Sequence, residues 1–413
     1  MKSVKIIKEE LGLSTNSENK SYQVNIYKRN SVEFIKGDGI YLYDIEGNKY
    51  LDFLSGIAVT GFGHKNKKLI NAAVTQIDNL WHVSNLFTST PQEELAKKLC
   101  EKSGLDKVFF CNSGTEANEA AIKFARKFGN GKSTIISAKG SFHGRTYGSL
   151  SASAQEKLWE GFYPLTPGFI SVPYKDSAAI KNAIDETTIA VMLEPIQGEN
   201  GILIPSENYL IEVRKICDEK KILMIIDEIQ TGNGRTGKYF AFQHSNILPD
   251  IITLAKGIAN GLPLGAVICS DKVADAITPG SHGSTFGGNP ISISVANKVS
   301  DLITDEVLHK IEKFGKLFSQ KIIQKNIPII KEVRSKGLMI GIEFIESIDA
   351  KNIAAKLMEH KVVVGTAGNN VLRILPPFII EELHIDQFVN KFMEVLIIDN
   401  LITNQSEELC HQN

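Results

Sequence analysis

Ile222-Leu223-Met224-Ile225-Ile226-Asp227-Glu228 is an unbroken apolar run closed by two acids, and Ile251-Ile252-Thr253-Leu254-Ala255-Lys256 repeats the pattern with a lysine at its end. Runs that are apolar at nearly every position read as strands buried on both faces, the habit of a parallel sheet covered by helices. The same character returns at Val108-Phe109-Phe110, Ser133 to Ser137, Ile189 to Leu193 and Ala266-Val267-Ile268, with helical patterns between. That alternation predicts an α/β fold built on a mostly parallel sheet. Ligands of such sheets bind outside the carboxyl ends of the strands, which is where Asp227 and Lys256 stand.

Around this centre the chain changes character twice. Residues 1 to about 20 are polar and read as mobile. Gly39 to Asp44 and Asn48 to Phe53, separated by Glu46-Gly47, read as a small antiparallel hairpin. From Ile291 to Asn326 apolar residues at 302, 307, 311, 314 and 318 predict one long linking helix. Beyond it come a strand at Gly337 to Phe344, a helix at Ala350 to Glu359, and a hairpin of Val362-Val363-Val364 with Val371 to Leu375 around Gly368-Asn369-Asn370. We therefore expect an N-terminal segment at 1–65 that joins a small domain, a large domain at 66–290, and a linker helix with an α+β small domain at 291–413.

Composition narrows the partners. The 413 residues carry 46 Lys plus Arg against 47 Asp plus Glu, without a basic block interleaved with aromatics, so nucleic acid and anionic membranes are poor partners. Small molecules are the expectation. Five cysteines without a C-x-x-C pair fit free thiols in a reducing compartment and offer no zinc spacing. The N-terminus has no signal-peptide core and no run is long enough to span a bilayer, so the expected location is cytoplasmic.

A lysine held against an apolar strand end is poorly solvated, which disfavours its ammonium and leaves a neutral amine able to form a Schiff base with a carbonyl. An acid on the neighbouring strand end suits the pyridinium nitrogen of pyridoxal phosphate. Ser113-Gly114-Thr115 opens a helix whose free amides, hydroxyls and positive dipole end suit one phosphate, although Ser113-x-x-Glu116 also spells an ordinary capping box. Phe142 and Arg145 combine a stacking face with a carboxylate fork, and Arg373 is a second hook on an alternating strand. Each residue alone has a blander meaning as a core ring, a cap or a surface ion pair. Gly232-Asn233-Gly234-Arg235-Thr236-Gly237 spells the dinucleotide fingerprint, but no helical repeat follows it and Asp227-Glu228 would repel a pyrophosphate.

Taken in order, Ser113 to Ala121, Phe142-His143-Gly144-Arg145, Glu194-Pro195-Ile196-Gln197-Gly198-Glu199, Asp227 to Gly232, Ala255-Lys256-Gly257 and Ser284-Thr285-Phe286-Gly287-Gly288-Asn289-Pro290 resemble the class III pyridoxal-phosphate aminotransferases. Trp81 to Leu86, Pro91 to Ala96 and Asp106 to Gly114 resemble the acetylornithine branch of that class. The resemblance runs from about Tyr27 to Pro377. It implies an aspartate-aminotransferase-like fold, fold type I, with a large mostly parallel-sheet domain, a small α+β domain, and a homodimer with sites at the subunit boundary.

The resemblance also implies roles. Lys256 would carry the cofactor, Asp227 the ring nitrogen, Gln230 the ring hydroxyl side and Phe142 the stacking face. Ser113, Gly114 and Thr115 would hold the phosphate, with Thr285 reaching it from the partner subunit. Arg145, with Ser284 nearby, would bind the donor's α-carboxylate, Arg373 the oxoacid's, Glu199 would pair with Arg373 in turn, and Tyr27 would border the substrate. No metal is implied. The implied reaction is transamination from N-acetyl-L-ornithine to 2-oxoglutarate in arginine biosynthesis. Succinylornithine, ornithine, 4-aminobutyrate or acetyl-diaminopimelate as donor, an aminomutase, or a binding protein on the same scaffold are the alternatives. Three departures stand out: Ile57 where ornithine enzymes tend to carry tyrosine, Tyr147 where many acetylornithine enzymes carry leucine, and Asn260, from which no consequence is expected, in place of a frequent glycine.

Overall fold

The computed structural model describes residues 22–398, 401 and 402; the polar start of the chain and Cys410 lie outside the described residues. β1 (Phe34–Asp38), β2 (Tyr41–Asp44) and β3 (Lys49–Asp52) form an antiparallel meander. The expected hairpin is β2 with β3, and Gly47 at φ +86° takes the left-handed backbone of its turn without the clash a Cβ would cause.

The central sheet comprises β4 (Lys107–Cys111), β5 (Thr134–Ala138), β6 (Phe169–Val172), β7 (Thr188–Leu193), β8 (Leu223–Asp227), β9 (Ile251–Leu254) and β10 (Gly265–Cys269), in the order β4-β10-β9-β8-β7-β5-β6. β10 is antiparallel to both its neighbours and the remaining pairs are parallel. The all-apolar runs are explained by two covered faces. Met224 and Ile226 of β8 pack on one side and Leu223 and Ile225 on the other, each burial contributing roughly 1.5–3 kcal/mol. Helix Gly114–Phe128 covers one face through Ala117, Ala120, Ala121 and Phe124, and helix Tyr209–Lys220 covers the other through Leu210, Val213 and Cys217.

The third sheet and the linking helix each correct an expectation. It contains β11 (Ile330–Lys336), β12 (Met339–Phe344), β14 (Gly365–Ala367) and β15 (Val371–Ile374), whereas β13 (Val362–Val363) leaves it to pair in parallel with β3. The hairpin around Gly368 is thus β14 with β15, and the chain changes sheets at Val364. β13 closes the N-terminal meander, so segments from before and after the central sheet share one small sheet. The long linking helix is two helices, Pro290–Leu302 and Asp305–Ile323, because Thr304 accepts the Val307 amide at 3.4 Å and starts a new helix ahead of two acids. Among the described residues no helix is long and apolar enough to cross a membrane.

Between β3 and the central sheet lies an unusual turn. Ser55, Gly56, Ile57 and Ala58 all have positive φ, from +51° to +68°. This is one turn of left-handed helix, closed by Ala58 N–H to Leu54 O at 3.1 Å and Val59 N–H to Ser55 O at 2.8 Å. Such backbone costs about 1–2 kcal/mol per non-glycine residue. Asp52 holds its start, with Oδ1 accepting the amides of Leu54 and Ser55 and Oδ2 meeting His64 Nε2 at 3.0 Å.

Candidate active site

A cavity of about 410 Å³ opens at the carboxyl edge of the central sheet. Ser113, Gly114, Thr115, Phe142, Arg145, Glu199, Asp227, Gln230 and Lys256 all border it, so residues spread over much of the chain meet where the strands β4, β5, β7, β8 and β9 end.

One wall is the start of helix Gly114–Phe128. Ser113 caps it by accepting the Glu116 amide at 3.3 Å. The rest of the capping box is absent, because Glu116 turns away to the amide and side chain of Asn112 at 2.9 and 2.8 Å. The first helix amides have no intrahelical acceptor and point at the cavity with the dipole's positive end. A Cβ at Gly114 would stand 2.8 Å from the end of the Ile229 side chain and push it aside. Thr115 Oγ1 lies 2.6 Å from Ser149 Oγ and 2.7 Å from Thr146 Oγ1, which fixes the hydroxyl side of the cradle.

The floor is ionic. Asp227 Oδ2 accepts from His143 Nδ1 at 2.7 Å and Asn118 Nδ2 at 2.8 Å, while Oδ1 accepts only the Ile229 amide at 3.0 Å and keeps capacity for another donor. Burial opposes charge on His143, but the Asp227 hydrogen bond and the negative charges of Asp227 and Glu194 outweigh it and raise its pKa. Glu194, at the end of β7, accepts the Phe142 amide at 3.0 Å, and burial pushes its pKa to about 7. Sequence reading quoted His143, Asn118 and Glu194 within motifs but gave them no role. Their polar side chains on otherwise apolar strand-end and helix faces were the available signal.

Lys256 follows β9 with φ +46°, a left-handed conformation that a side-chain-bearing residue holds only where its surroundings enforce it. Burial lowers its pKa, opposed by Glu199, aided by Arg373, and opposed again by Asp227 and Glu194. The amine is thereby shifted toward the neutral form that a Schiff-base lysine needs. Arg373, buried on β15, forms an ion pair with Glu199, whose pKa falls because the guanidinium outweighs its burial. Arg373 therefore reaches the cavity through Glu199.

Other expected residues stand apart. Tyr27 is exposed and does not border the cavity; Ser284 and Thr285 do not border it either, although Ser284 Oγ accepts from Nδ2 of Asn112, a residue of the cavity wall, at 3.1 Å. Their loop is braced by Asn85 Nδ2, which donates to Ser284 O and Gly287 O at 3.0 and 2.9 Å, and by Gln92 Nε2 to Gly288 O at 2.6 Å. Asn260 corrects an expectation, since its side chain bridges two separate backbone groups of the 62–63 segment. The glycine-rich 232–237 segment leads into only a short 3-10 turn, Ala241–Ser245, and buries Arg235, which excludes the dinucleotide reading. Among the described residues no cluster could hold a metal.

These residues fit pyridoxal phosphate. The cradle's bare Gly114 leaves the helix amides open to a phosphate, Asp227 keeps a free acceptor position, and Gln230 Oε1 is buried without a partner.

Comparison with known proteins agrees. Residues 24–396 match the family Aminotransferase class-III. Acetylornithine aminotransferase of Methanocaldococcus jannaschii is 46% identical over 91% of this chain and 96% of its own. That of Aquifex aeolicus is 45% identical over 91% of this chain and 100% of its own. Among solved structures, ornithine aminotransferase from Toxoplasma gondii, with partial occupancy of pyridoxal phosphate, has a TM-score of 0.90 at 31% identity, covering 95% of this chain and 97% of that one. N-acetylornithine aminotransferase from Stenotrophomonas maltophilia has a TM-score of 0.80 at 32% identity over 91% and 98%.

The buried carboxyl of Glu194 gives a pH signature. Its pKa is raised, so between 4.5 and about 7 the folded protein holds a proton that the unfolded chain has released, and that stability is lost as pH rises through 7. Glu194→Gln mimics the protonated form. Denaturant unfolding should show the variant gaining on the wild type by about 1–3 kcal/mol between about pH 5 and pH 8. A difference that stays constant with pH would mean that Glu194 is ionised throughout.

Proposed function

The chain belongs to the class III aminotransferases, which depend on pyridoxal phosphate, and from that membership we propose that it transfers the side-chain amine of N-acetyl-L-ornithine to 2-oxoglutarate. The products are N-acetyl-L-glutamate 5-semialdehyde and L-glutamate, a step of arginine biosynthesis carried out in the cytoplasm. The observation that carries the chemistry is Lys256, an amine with a lowered pKa at the floor of a cavity that also holds an anion cradle and Asp227. The relatives' names carry the choice of donor, and Ile57 in place of tyrosine supports an acylated donor over free ornithine.

Gly114 and Thr115 would hold the phosphate, Phe142 would cover the ring, Gln230 would face its hydroxyl, and Asp227 would keep its nitrogen protonated through Oδ1. Asn118 and His143 hold Asp227 Oδ2 and leave Oδ1 with capacity for that role. The cofactor supplies an electron-accepting ring for the pair released when the donor's carbon loses its proton. Lys256, whose amine is shifted toward the neutral form, would hold the cofactor at rest and serve as the base for the donor's proton. Arg145 binds the donor's α-carboxylate.

The working unit is a homodimer with its sites at the subunit boundary. Trp81, Leu86, Phe87 and Phe286 leave 62–89% of their surface open beside the loop of Ser284 and Thr285, an apolar face suited to a second copy. Thr285 then reaches the partner's phosphate.

N-acetyl-L-ornithine, ornithine and 4-aminobutyrate, added separately, should be distinguished by the cofactor's visible absorbance: rapid loss with the acetylated donor alone is the expected outcome, and a faster response to another amine contradicts the assignment. Lys256→Ala should lower turnover by at least roughly 10²–10⁴-fold.

One site must accept a donor that lacks the second carboxylate and an oxoacid that has it. Glu199 masks Arg373 for the first and releases it for the second. Glu199→Gln should raise the donor KM several-fold while leaving or lowering that of 2-oxoglutarate. Unchanged preference in both half-reactions would refute the masking role.

A further inference from the structure

Two constraints meet beside Lys256. The first is the left-handed turn Ser55–Ala58, in which three of four residues carry side chains that disfavour such backbone. The second is the tight turn Lys256–Ala259, ended by Asn260 at φ +47°. They lie side by side: a Cβ added to Gly257 would come within 3.4 Å of Ala58 O. Val59, the next residue after the left-handed turn, borders the cavity with Lys256 and Leu262.

Asp52 clamps only the beginning of the left-handed turn. The segment that follows its far end is tied by the Phe378 N–H to Gly61 O at 2.6 Å and, toward the lysine turn, by one side chain. Asn260 Oδ1 accepts the Phe62 amide at 2.8 Å and Asn260 Nδ2 donates to Gly63 O at 3.1 Å. The carboxamide thus ties the segment after Val59 to the backbone turn that carries the reactive lysine. Asparagine is among the few residues with a side chain that tolerate this φ, so the position supplies both the backbone conformation and the two bonds.

We propose that Asn260 is a positioning residue for substrate binding: its side chain locks the strained 55–59 wall of the cavity to the Lys256 turn and so sets the distance between Val59 and the amine. The proposal rests on the aminotransferase reading of the cavity. Without the tie, the 55–59 wall keeps Asp52 and the Phe378 N–H to Gly61 O bond but loses its link to the Lys256 turn, and the substrate loses a fixed surface, while Lys256, Asp227 and the phosphate cradle stay in place.

Asn260→Gly separates the two contributions, because glycine keeps the positive φ and loses only the carboxamide. In the holoenzyme, hydrogen exchange should rise in peptides covering residues 55–64. The KM of the amine donor should increase about 3–10-fold, the scale of one net hydrogen bond, with kcat within about two-fold of the wild type. The donor used is whichever amine the wild type turns over fastest, so an error in the choice of acylated substrate leaves the comparison intact. Exchange at 55–64 equal to that of the wild type would overturn the tie. Faster exchange with KM unmoved would overturn the positioning role and leave Asn260 a structural strut, as would a fall in kcat with KM unmoved.

Discussion

The register between β8 and β9 pairs Asp227 with Thr253, and the rest of the site depends on it. A strand pair has a side-chain period of two, so a slip by one residue would turn each side chain to the opposite face. Ile225, Ile226, Ile251 and Ile252 are fully buried on the two faces, so a slip would expose none of them yet would mismatch both packing layers at once. The register therefore fixes where the acid ends one strand and where the chain carrying Lys256 leaves the next. Parallel pairing brings the ends of β5 and β7 to the same edge, and β10, antiparallel to both β9 and β4, brings the end of β4 there too, and with them come the phosphate cradle, Phe142 and Glu194.

What that edge gathers is a nearly balanced set of charges in a poorly solvated place. Lys256, Arg373 and His143 face Asp227, Glu199 and Glu194. Burial alone would neutralise most of them, and local pairing decides which survive as ions. Asp227 and His143 support each other, Arg373 keeps Glu199 ionised, and Glu194, without a full partner, is pushed to about 7. Lys256 is left with the lowered pKa that its role requires. The arrangement separates the fixed charges that orient ligands from the single amine that must change state.

The strands were legible because two-sided burial leaves a run of apolar residues that local composition displays. The cradle and the lysine were legible because a helix start and a strand end are local events. Contacts between distant segments were not. Val362 to Val364 read as half of a hairpin because their β-branched pattern suits any sheet, and only tertiary pairing sends Val362 and Val363 to β3. The break at Ile303 was hidden by apolar spacing that continues through Thr304, although Thr304-Asp305-Glu306 carried a start signal. Asn118 and His143 acquire meaning only once a helix and a loop converge on Asp227. Asn260 looked neutral because its partners lie almost 200 residues earlier in the chain.

The central claim is that Lys256, among all the lysines of the chain, is the one that holds the cofactor. Borohydride reduction of the coloured holoenzyme followed by peptide mass mapping tests it directly. The account predicts a single pyridoxyl-phosphate mass increase on the peptide containing Lys256, with colour loss in proportion to labelling. Labelling of another lysine, or colour loss with Lys256 unmodified, would contradict it.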